Sequence, residues 1–157
     1  MKSDDYSYAT FNRRYVGQNM YLPGMKTNKL ATIAVAFDLS GSIGEKEQAA
    51  FIAELRKVSA LISEVIVMGF DSQVQSFDVI RDMTNIDRTI KGLKGGGGTD
   101  IGSPIRYLQA KKIHPEVCII FTDGYGDFGK KPKFPLIYVM TTDVKPTIPA
   151  AYVKMVL

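Results

Sequence analysis

A short apolar run that ends in an acidic residue limits the fold more than any other feature of the sequence. Residues 31–38 read ATIAVAFD, and every position from Ile33 to Phe37 is apolar before Asp38 follows. A strand without a polar face is typical of a parallel sheet that is covered by helices on both sides. The next segment, 44–62, is predicted to be a helix, because its apolar residues recur at steps of three and four. These residues are Phe51, Leu55, Val58 and Ile62.

Strands and helices are predicted to alternate along the rest of the chain. Further strands are expected at 64–70, 73–80, 116–122 and 134–141. The C-terminal AYVKMVL is expected to be a last short strand, with a helix as the alternative. Further helices are expected at 85–91, capped by Thr84, and from a Ser103 cap and Pro104 to about Lys112. The link before residue 73 is too short for a parallel crossover, so 73–80 is predicted to be an antiparallel edge strand. The alternation predicts an α/β fold with a largely parallel sheet.

The bulk composition is that of one globular domain. The chain has 157 residues, of which 45% are hydrophobic, enough to bury a core. We expect residues 30–157 to form the domain and residues 1–29, with four tyrosines among polar residues, to form an N-terminal arm or linker. No apolar run approaches the ~20 residues of a membrane span, and the polar N-terminus lacks a signal-peptide core. With a single cysteine, Cys118, in an apolar run, a cytoplasmic protein is expected.

Charge and histidine content exclude several function classes. The net charge is +4, but lysines and arginines are spread out and form no stripe with aromatic residues, so nucleic-acid binding is not favoured. The only histidine, His114, precedes Pro115. Neither an HExxH zinc helix nor a His-Cys zinc cluster can therefore be built within this chain. No GxSxG elbow accompanies any serine, which disfavours a Ser-His-Asp triad.

Polar residues follow the predicted buried strands. Asp38, Asp71, Asp123 and Thr141 stand at four strand ends. In an open parallel sheet the ligand crevice lies at the carboxyl ends of the strands. We therefore expect the functional residues at this edge of the sheet.

Five residues from three loops of this edge are predicted to form a divalent-cation site. They are Asp38, Ser40, Ser42, Thr99 and Asp123. Mg²⁺ takes six oxygen ligands and usually keeps several waters. The three hydroxyls would bind it directly, and the two carboxylates would orient bound waters. Glycines 95–98 would let the Thr99 loop approach without side-chain clashes. An ion held mainly by neutral hydroxyls keeps much of its positive charge and would attract an external carboxylate.

Each of these residues also has a purely structural explanation. Ser42 can cap the following helix through an S-x-x-E capping box with Glu45. Ser40, Asp71, the Thr99–Asp100 pair and the Asp123–Gly124 pair can be turn residues, and the glycines can be a flexible connection. These explanations do not predict that all of the residues fall at one edge of one sheet.

The motifs D-L-S-G-S at 38–42, G-G-T-D at 97–100 and T-D-G at 122–124 resemble the metal-ion-dependent adhesion site of the von Willebrand factor A (VWA) domain. The resemblance implies a Rossmann-like, doubly wound, mostly parallel six-stranded sheet with one antiparallel edge strand and helices on both faces. It also implies a site for Mg²⁺, with Mn²⁺ or Ca²⁺ in some members, that recruits a Glu or Asp of a partner protein. Ser40, Ser42 and Thr99 would be direct or near-direct ligands, and Asp38 and Asp123 would act partly through water.

GGGGTD, FTDGYGDF and PLIYVMT more narrowly resemble the VWA-like domain at the C-terminus of predicted bacterial and phage metallopeptidase proteins. In those proteins an HExxH zinc domain precedes this one, and that part is absent here. The resemblance implies a metallopeptidase-like domain or an ATPase as partner, and it gives no reason to expect peptidase activity in this chain.

Three functions follow from these observations. The first is a non-catalytic, metal-dependent protein-interaction module. The second is a Mg²⁺-dependent phosphoryl-transfer or hydrolytic enzyme with Asp38 as nucleophile or base. Against it, Ser40 occupies the place of a second carboxylate, and no G-x-x-x-x-G-K-[ST] loop is present. The third is nucleic-acid binding by the basic surface.

Overall fold

The computed structural model describes residues 6–11, 23–25, 31–40, 44–57 and 61–155. The chain divides into two compact units, Met1–Leu30 and Ala31–Leu157. In the first unit, β1 (Tyr6–Phe11) and β2 (Pro23–Met25) form an antiparallel pair that the sequence did not predict. The side chains of this unit lie outside the described residues, so the prediction of an arm or linker over 1–29 stays a prediction.

The second unit is built on a six-stranded sheet with the order β5-β4-β3-β6-β7-β8. Its strands are β3 (Ala31–Asp38), β4 (Ile62–Phe70), β5 (Val74–Ile80), β6 (Val117–Thr122), β7 (Leu136–Met140) and β8 (Ala151–Lys154). All neighbours are parallel except β4 and β5, which are antiparallel. The chain winds outward from β3 in both directions, so the predicted doubly wound sheet with one antiparallel edge strand is confirmed.

Helices cover both faces of this sheet, as predicted. They are α1 (Glu45–Lys57), α2 (Ile86–Lys91) and α3 (Ser103–Ala110). One buried cluster joins Ile105 and Leu108 of α3 to alternate residues of the strands, such as Ala34. The other cluster joins residues of α1 and α2 to the opposite face, where the Phe51 ring centroid lies 4.4 Å from that of Phe121. Among the described residues, no helix is long and apolar enough to cross a membrane.

Cys118 lies inside the core, as its apolar surroundings predicted. Its thiol is free and fully buried on β6. Burial disfavours the thiolate and raises the pKa of the thiol to about 12. Cys118 is therefore a protonated core residue.

The first predicted helix is shorter than expected. Ile62, which was predicted to be its last apolar residue, is instead the first residue of β4 and pairs with Ala31. The Leu55 side chain and Val58 lie outside the described residues. The helical spacing failed here because an apolar residue at a strand start cannot be told from one at a helix end by periodicity alone.

The predicted cap of the second helix is also wrong. A 3₁₀ turn, Met83–Asn85, precedes α2, and the Asp82 carboxylate caps this turn by accepting from the Thr84 backbone N–H at 3.0 Å. Thr84 therefore lies inside the turn and does not cap α2. The N-cap residue of α2 itself is Asn85, whose side chain makes no capping hydrogen bond.

In α3 the predicted cap is displaced by one residue. Gly102 occupies the N-cap position, and the predicted cap, Ser103, is the first helical residue, followed by Pro104. The Asp100 carboxylate accepts from the Gly102 N–H at 3.1 Å, and the Asp100 carbonyl accepts from the Ser103 N–H at 3.1 Å. The Ser103 hydroxyl is buried without a hydrogen-bond partner in the described part of the chain. The helix ends at Ala110, before the predicted Lys112.

Candidate metal centre

The carboxyl ends of β3, β4, β6 and β7 meet at one edge of the sheet, because these strands are parallel. Backbone hydrogen bonds join the segments that leave this edge. The Leu39 N–H donates to the Phe70 carbonyl at 2.7 Å, and the Thr141 N–H donates to the Thr122 carbonyl at 3.1 Å. The winding of the chain reverses between β3 and β6, which is where such sheets place their ligand crevice.

Asp38 is buried at this reversal point and is fully engaged by the protein. The residue is 2% exposed. Its Oδ2 accepts from the Thr122 hydroxyl at 2.8 Å, and its Oδ1 accepts from the Ser40 backbone N–H at 3.0 Å. The Thr122 oxygen accepts in turn from the Gly124 N–H at 3.1 Å. The carboxylate therefore fixes the loops after β3 and β6 to each other.

Of the two serines in the first motif, the structure describes only Ser40. Ser40 is exposed, and its backbone N–H completes the turn at Asp38 while its hydroxyl bonds to no described residue. Ser40 therefore serves the turn through its backbone alone, and its hydroxyl is available as a ligand. Ser42, with its predicted roles as ligand and helix cap, lies outside the described residues.

The glycine-rich loop before Thr99 lies against the loops that follow β4 and β6. A side-chain Cβ at Gly97 would lie 3.2 Å from Oδ2 of Asp71, and a Cβ at Gly126 would lie 2.8 Å from the Thr99 carbonyl oxygen. The Asp100 N–H donates to the Asp71 carbonyl at 2.8 Å. Glycine is needed at Gly126 because the Thr99 backbone approaches too closely for a side chain, whereas a Cβ at Gly97 would press against the Asp71 carboxylate. The half-buried Thr99 is thereby held at the same edge as Asp38.

Asp123 forms the turn that leaves β6. Its Oδ1 accepts from the Tyr125 N–H at 3.0 Å, and its backbone carbonyl accepts from the Thr142 hydroxyl. Gly124 adopts a φ of +86°, which a glycine reaches without steric cost. The turn interpretation of Asp123–Gly124 and the ligand interpretation of Asp123 are compatible, since the other carboxylate oxygen bonds to no described residue.

The sequence analysis missed the buried hydrogen-bonding roles of two residues at this edge, Thr122 and Asp71. Thr122 belonged to the T-D-G motif but was not predicted to be a site residue. A polar residue at the end of an apolar strand was the available signal. Asp71 was predicted to be a turn residue, and its Oδ1 does accept from the Gln73 N–H at 3.3 Å. It is also 5% exposed and accepts from the Gln75 side chain at 2.9 Å.

The environment of Asp71 predicts a contribution to acid stability. The Gln75 side chain, followed by several backbone N–H groups, lowers the pKa of Asp71 below 3.8 against the opposing effect of burial. A carboxyl with a depressed folded pKa adds stability above its unfolded pKa, and this stability is lost as the pH falls through the folded pKa. We expect Asp71→Asn to flatten the fall of unfolding free energy with pH below 3.8. Urea titrations across that range measure the slope.

The control for this prediction is Asp78→Asn, which removes an exposed carboxylate from the neighbouring strand β5. It should leave the slope close to that of the unsubstituted protein. Equal slopes in Asp71→Asn and in the unsubstituted protein would contradict the prediction.

The geometry brings Asp38, Ser40, Thr99 and Asp123 to one edge on three loops, while Ser42 is not described. Among the described residues, no three His, Cys, Asp or Glu side chains come together as a metal-binding group. The described site residues thus offer the hydroxyls of Ser40 and Thr99 beside the carboxylates of Asp38 and Asp123.

Comparisons with known proteins place the chain in a family. A family model described as VWA-like domain (DUF2201) matches residues 33–157. An uncharacterized protein of Thermotoga maritima is 38% identical over 117 residues, which cover 74% of this chain and 28% of that protein. This chain thus matches less than a third of the length of that relative.

A structure comparison gives a looser likeness. The crystal structure of the SpRpn10 VWA domain aligns over 81% of this chain and 88% of that chain, with 12% identity and a TM-score of 0.47. A likeness this loose carries no argument about the site. The family match over most of the sequence is sufficient by itself, and the chain belongs to the VWA-like domain (DUF2201) family.

Proposed function

We propose that this VWA-like domain is a non-catalytic protein-interaction module that binds an acidic residue of its partner through a divalent metal ion. The ion would be Mg²⁺, with Mn²⁺ or Ca²⁺ as alternatives. The observation that carries the proposal is the buried Asp38 carboxylate, which is tied to Thr122 and stands next to the exposed hydroxyl of Ser40.

The donors of this edge fit a hard cation. Ser40 and Thr99 supply neutral oxygens, and the undescribed Ser42 would be a third hydroxyl. Each carboxylate oxygen of Asp38 accepts one hydrogen bond from the protein. A carboxylate oxygen can accept a second one, so both oxygens can still bind water. Asp38 and Asp123 would therefore orient waters around the ion, as carboxylates near other metal sites do.

The same donor set explains why the partner would be acidic. Neutral hydroxyls do not cancel the charge of a divalent ion, so the bound ion would supply a strong positive field at the surface. An Asp or Glu of another protein would complete the coordination. The Thermotoga maritima relative is several times longer than the matched segment. This fits a module that acts beside other domains, with a metallopeptidase-like domain or an ATPase as candidate partner and the cytoplasm as location.

Calorimetric titration with MgCl₂ and MnCl₂ in acetate buffer tests the proposal, with acetate standing in for the partner carboxylate. We expect saturable binding that Ser40→Ala weakens by about tenfold or more, since changes near a metal typically cost ten- to a hundredfold. Ser63→Ala, an exposed serine near the other end of β4, is the matched control and should bind as the unsubstituted protein does. Absence of saturable binding at millimolar metal, or equal loss in both variants, would overturn the proposal.

A phosphatase assay distinguishes the enzymatic alternative. We expect no Mg²⁺-dependent hydrolysis of p-nitrophenyl phosphate. Turnover that is lost in Asp38→Asn would instead assign Asp38 a catalytic role.

A further inference from the structure

The two faces of the sheet differ in charge. The face that carries α3 is covered by three segments, α3 itself and the stretches 127–135 and 142–150, whose apolar residues share one core cluster. Ile105, Phe128 and Val144 represent these segments in that cluster. Most charged residues of these segments and of the two positions that follow α3 are exposed lysines.

We name these exposed lysines the lysine strip. Its members are Lys111, Lys112, Lys130, Lys131, Lys133 and Lys145. Among the described residues no carboxylate forms an ion pair with any of them. Lys111 lies over the Tyr107 ring, with its Nζ 5.3 Å from the ring centroid. The strip therefore presents positive charge that the described protein does not neutralise.

The opposite face carries a more balanced set of charges. The helices α1 and α2 together have four acidic and five basic residues. Two ion pairs join them, since Lys57 bonds to Glu54 at 2.6 Å and Arg56 pairs with Asp87. Residues 103–112, 127–135 and 142–150 of the α3 face have seven basic and two acidic residues, so the excess of positive charge is larger on the α3 face.

The lysine strip begins at the candidate metal centre. The segment that leaves β6 at Asp123 first pairs with the Thr99 loop through the bridge between Asp100 and Asp127. It then passes α3, where a Cβ at Gly102 would lie 3.0 Å from the Gly129 Cα. It reaches the far end of β6 at Pro135, whose carbonyl accepts from the Cys118 N–H at 2.9 Å. Lys130, Lys131 and Lys133 therefore line a path from the metal edge down the face.

We propose that the lysine strip binds further acidic residues of the same partner segment that supplies a carboxylate at the metal edge. The partner is then an acidic polypeptide segment. This inference rests on the proposed function. The charges complement each other, and unpaired surface lysines would raise the association rate with such a segment in a salt-dependent way.

The metal edge favours an acidic polypeptide over nucleic acid, because the ion proposed there would take a carboxylate of the same partner segment. All members of the strip are lysines, whose ammonium groups attract carboxylates as compact point charges. The one arginine on α3, Arg106, is paired with Asp100.

Fluorescence anisotropy of a labelled oligoglutamate peptide, titrated with the full chain in Mg²⁺, tests the inference. We expect Lys130→Glu/Lys131→Glu/Lys133→Glu to weaken binding by about tenfold or more, since three exposed charge pairs are reversed. The matched control is Lys46→Glu/Arg88→Glu/Lys91→Glu, which reverses three exposed basic residues of α1 and α2 on the opposite face. It should bind nearly as the unsubstituted chain does, and added salt should weaken binding.

The arms of the experiment separate the two proposals. EDTA removes only the metal-dependent part of the affinity. Binding that EDTA leaves unchanged, but that the strip variant loses, would contradict the proposed function and support the lysine-strip proposal. Equal losses of affinity in the two triple variants, or no binding of oligoglutamate, would contradict the lysine-strip proposal. Binding of oligothymidylate that is tighter than that of oligoglutamate, and that the strip variant loses, would contradict it in favour of a nucleic-acid partner.

Discussion

Replacing Thr122 with valine is expected to lower the free energy of unfolding by about 2–4 kcal/mol. Valine keeps the shape of the side chain but removes the hydroxyl that donates to Asp38 and accepts from the Gly124 N–H. Thr122 is 0% exposed, so water cannot replace the lost partner at that position. A hydrogen bond to a charged group contributes about 1.5–3 kcal/mol, and an unsatisfied buried donor costs about 1–3 kcal/mol. Because Asp38 would lose its anchor, Mg²⁺ affinity should fall as well.

Urea denaturation of Thr122→Val measures this effect, with an unchanged dependence on urea as the sign that the folded state is otherwise intact. Thr147→Val changes an exposed threonine and should stay within about 0.5 kcal/mol. The double variant Thr122→Val/Asp38→Asn should cost less than the sum of the single variants, because both remove the same hydrogen bond. Additive losses would show that the two side chains do not act together.

Replacing Gly124 with alanine is expected to cost about 2–4 kcal/mol. The residue has a φ of +86°, and a left-handed conformation costs about 1–2 kcal/mol for a residue with a Cβ. The added Cβ would also lie 2.4 Å from the Met140 Cε and 2.9 Å from the Val144 Cγ1. Forcing an extra carbon into such a space typically costs about 1–3 kcal/mol.

Gly98→Ala is the matched control, since a Cβ there meets nothing within 4 Å and the residue is not among those with positive φ. Thermal unfolding followed by circular dichroism compares the two variants. Gly124→Ala should melt well below the unsubstituted protein, and Gly98→Ala should melt close to it. Similar melting temperatures for both variants would mean that the turn after Asp123 adapts to a side chain.

The sheet could be predicted because burial leaves a simple pattern in the sequence. The apolar residues 33–37 of β3 required cover on both faces, and the short connection after Phe70 required β5 to run antiparallel. The carboxyl ends of the parallel strands then had to share an edge. The exposed strand β8 (Ala151–Lys154) confirms the strand prediction for AYVKMVL, a segment whose pattern also allowed a helix.

The pairing of polar atoms could not be predicted in the same way. Asp38 and Thr122 are 84 residues apart, and no local pattern shows that one donates to the other. The carboxylates of Asp82 and Asp100 likewise accept from backbone N–H groups near two helix starts. At those places the sequence predicted Thr84 and Ser103 as caps. Such choices depend on which backbone N–H groups the tertiary fold leaves free, and a single sequence does not show them.

The Leu39 N–H, which donates to the Phe70 carbonyl, extends the pairing of β3 and β4 one residue beyond Asp38. The carboxylate therefore projects from a paired strand, with both of its oxygens already oriented by neighbours. Ordering a side chain and its backbone carries an entropic cost, and here that cost is met when the protein folds. Binding at this edge then has little conformational freedom left to remove at Asp38, which is the general advantage of a preorganised site.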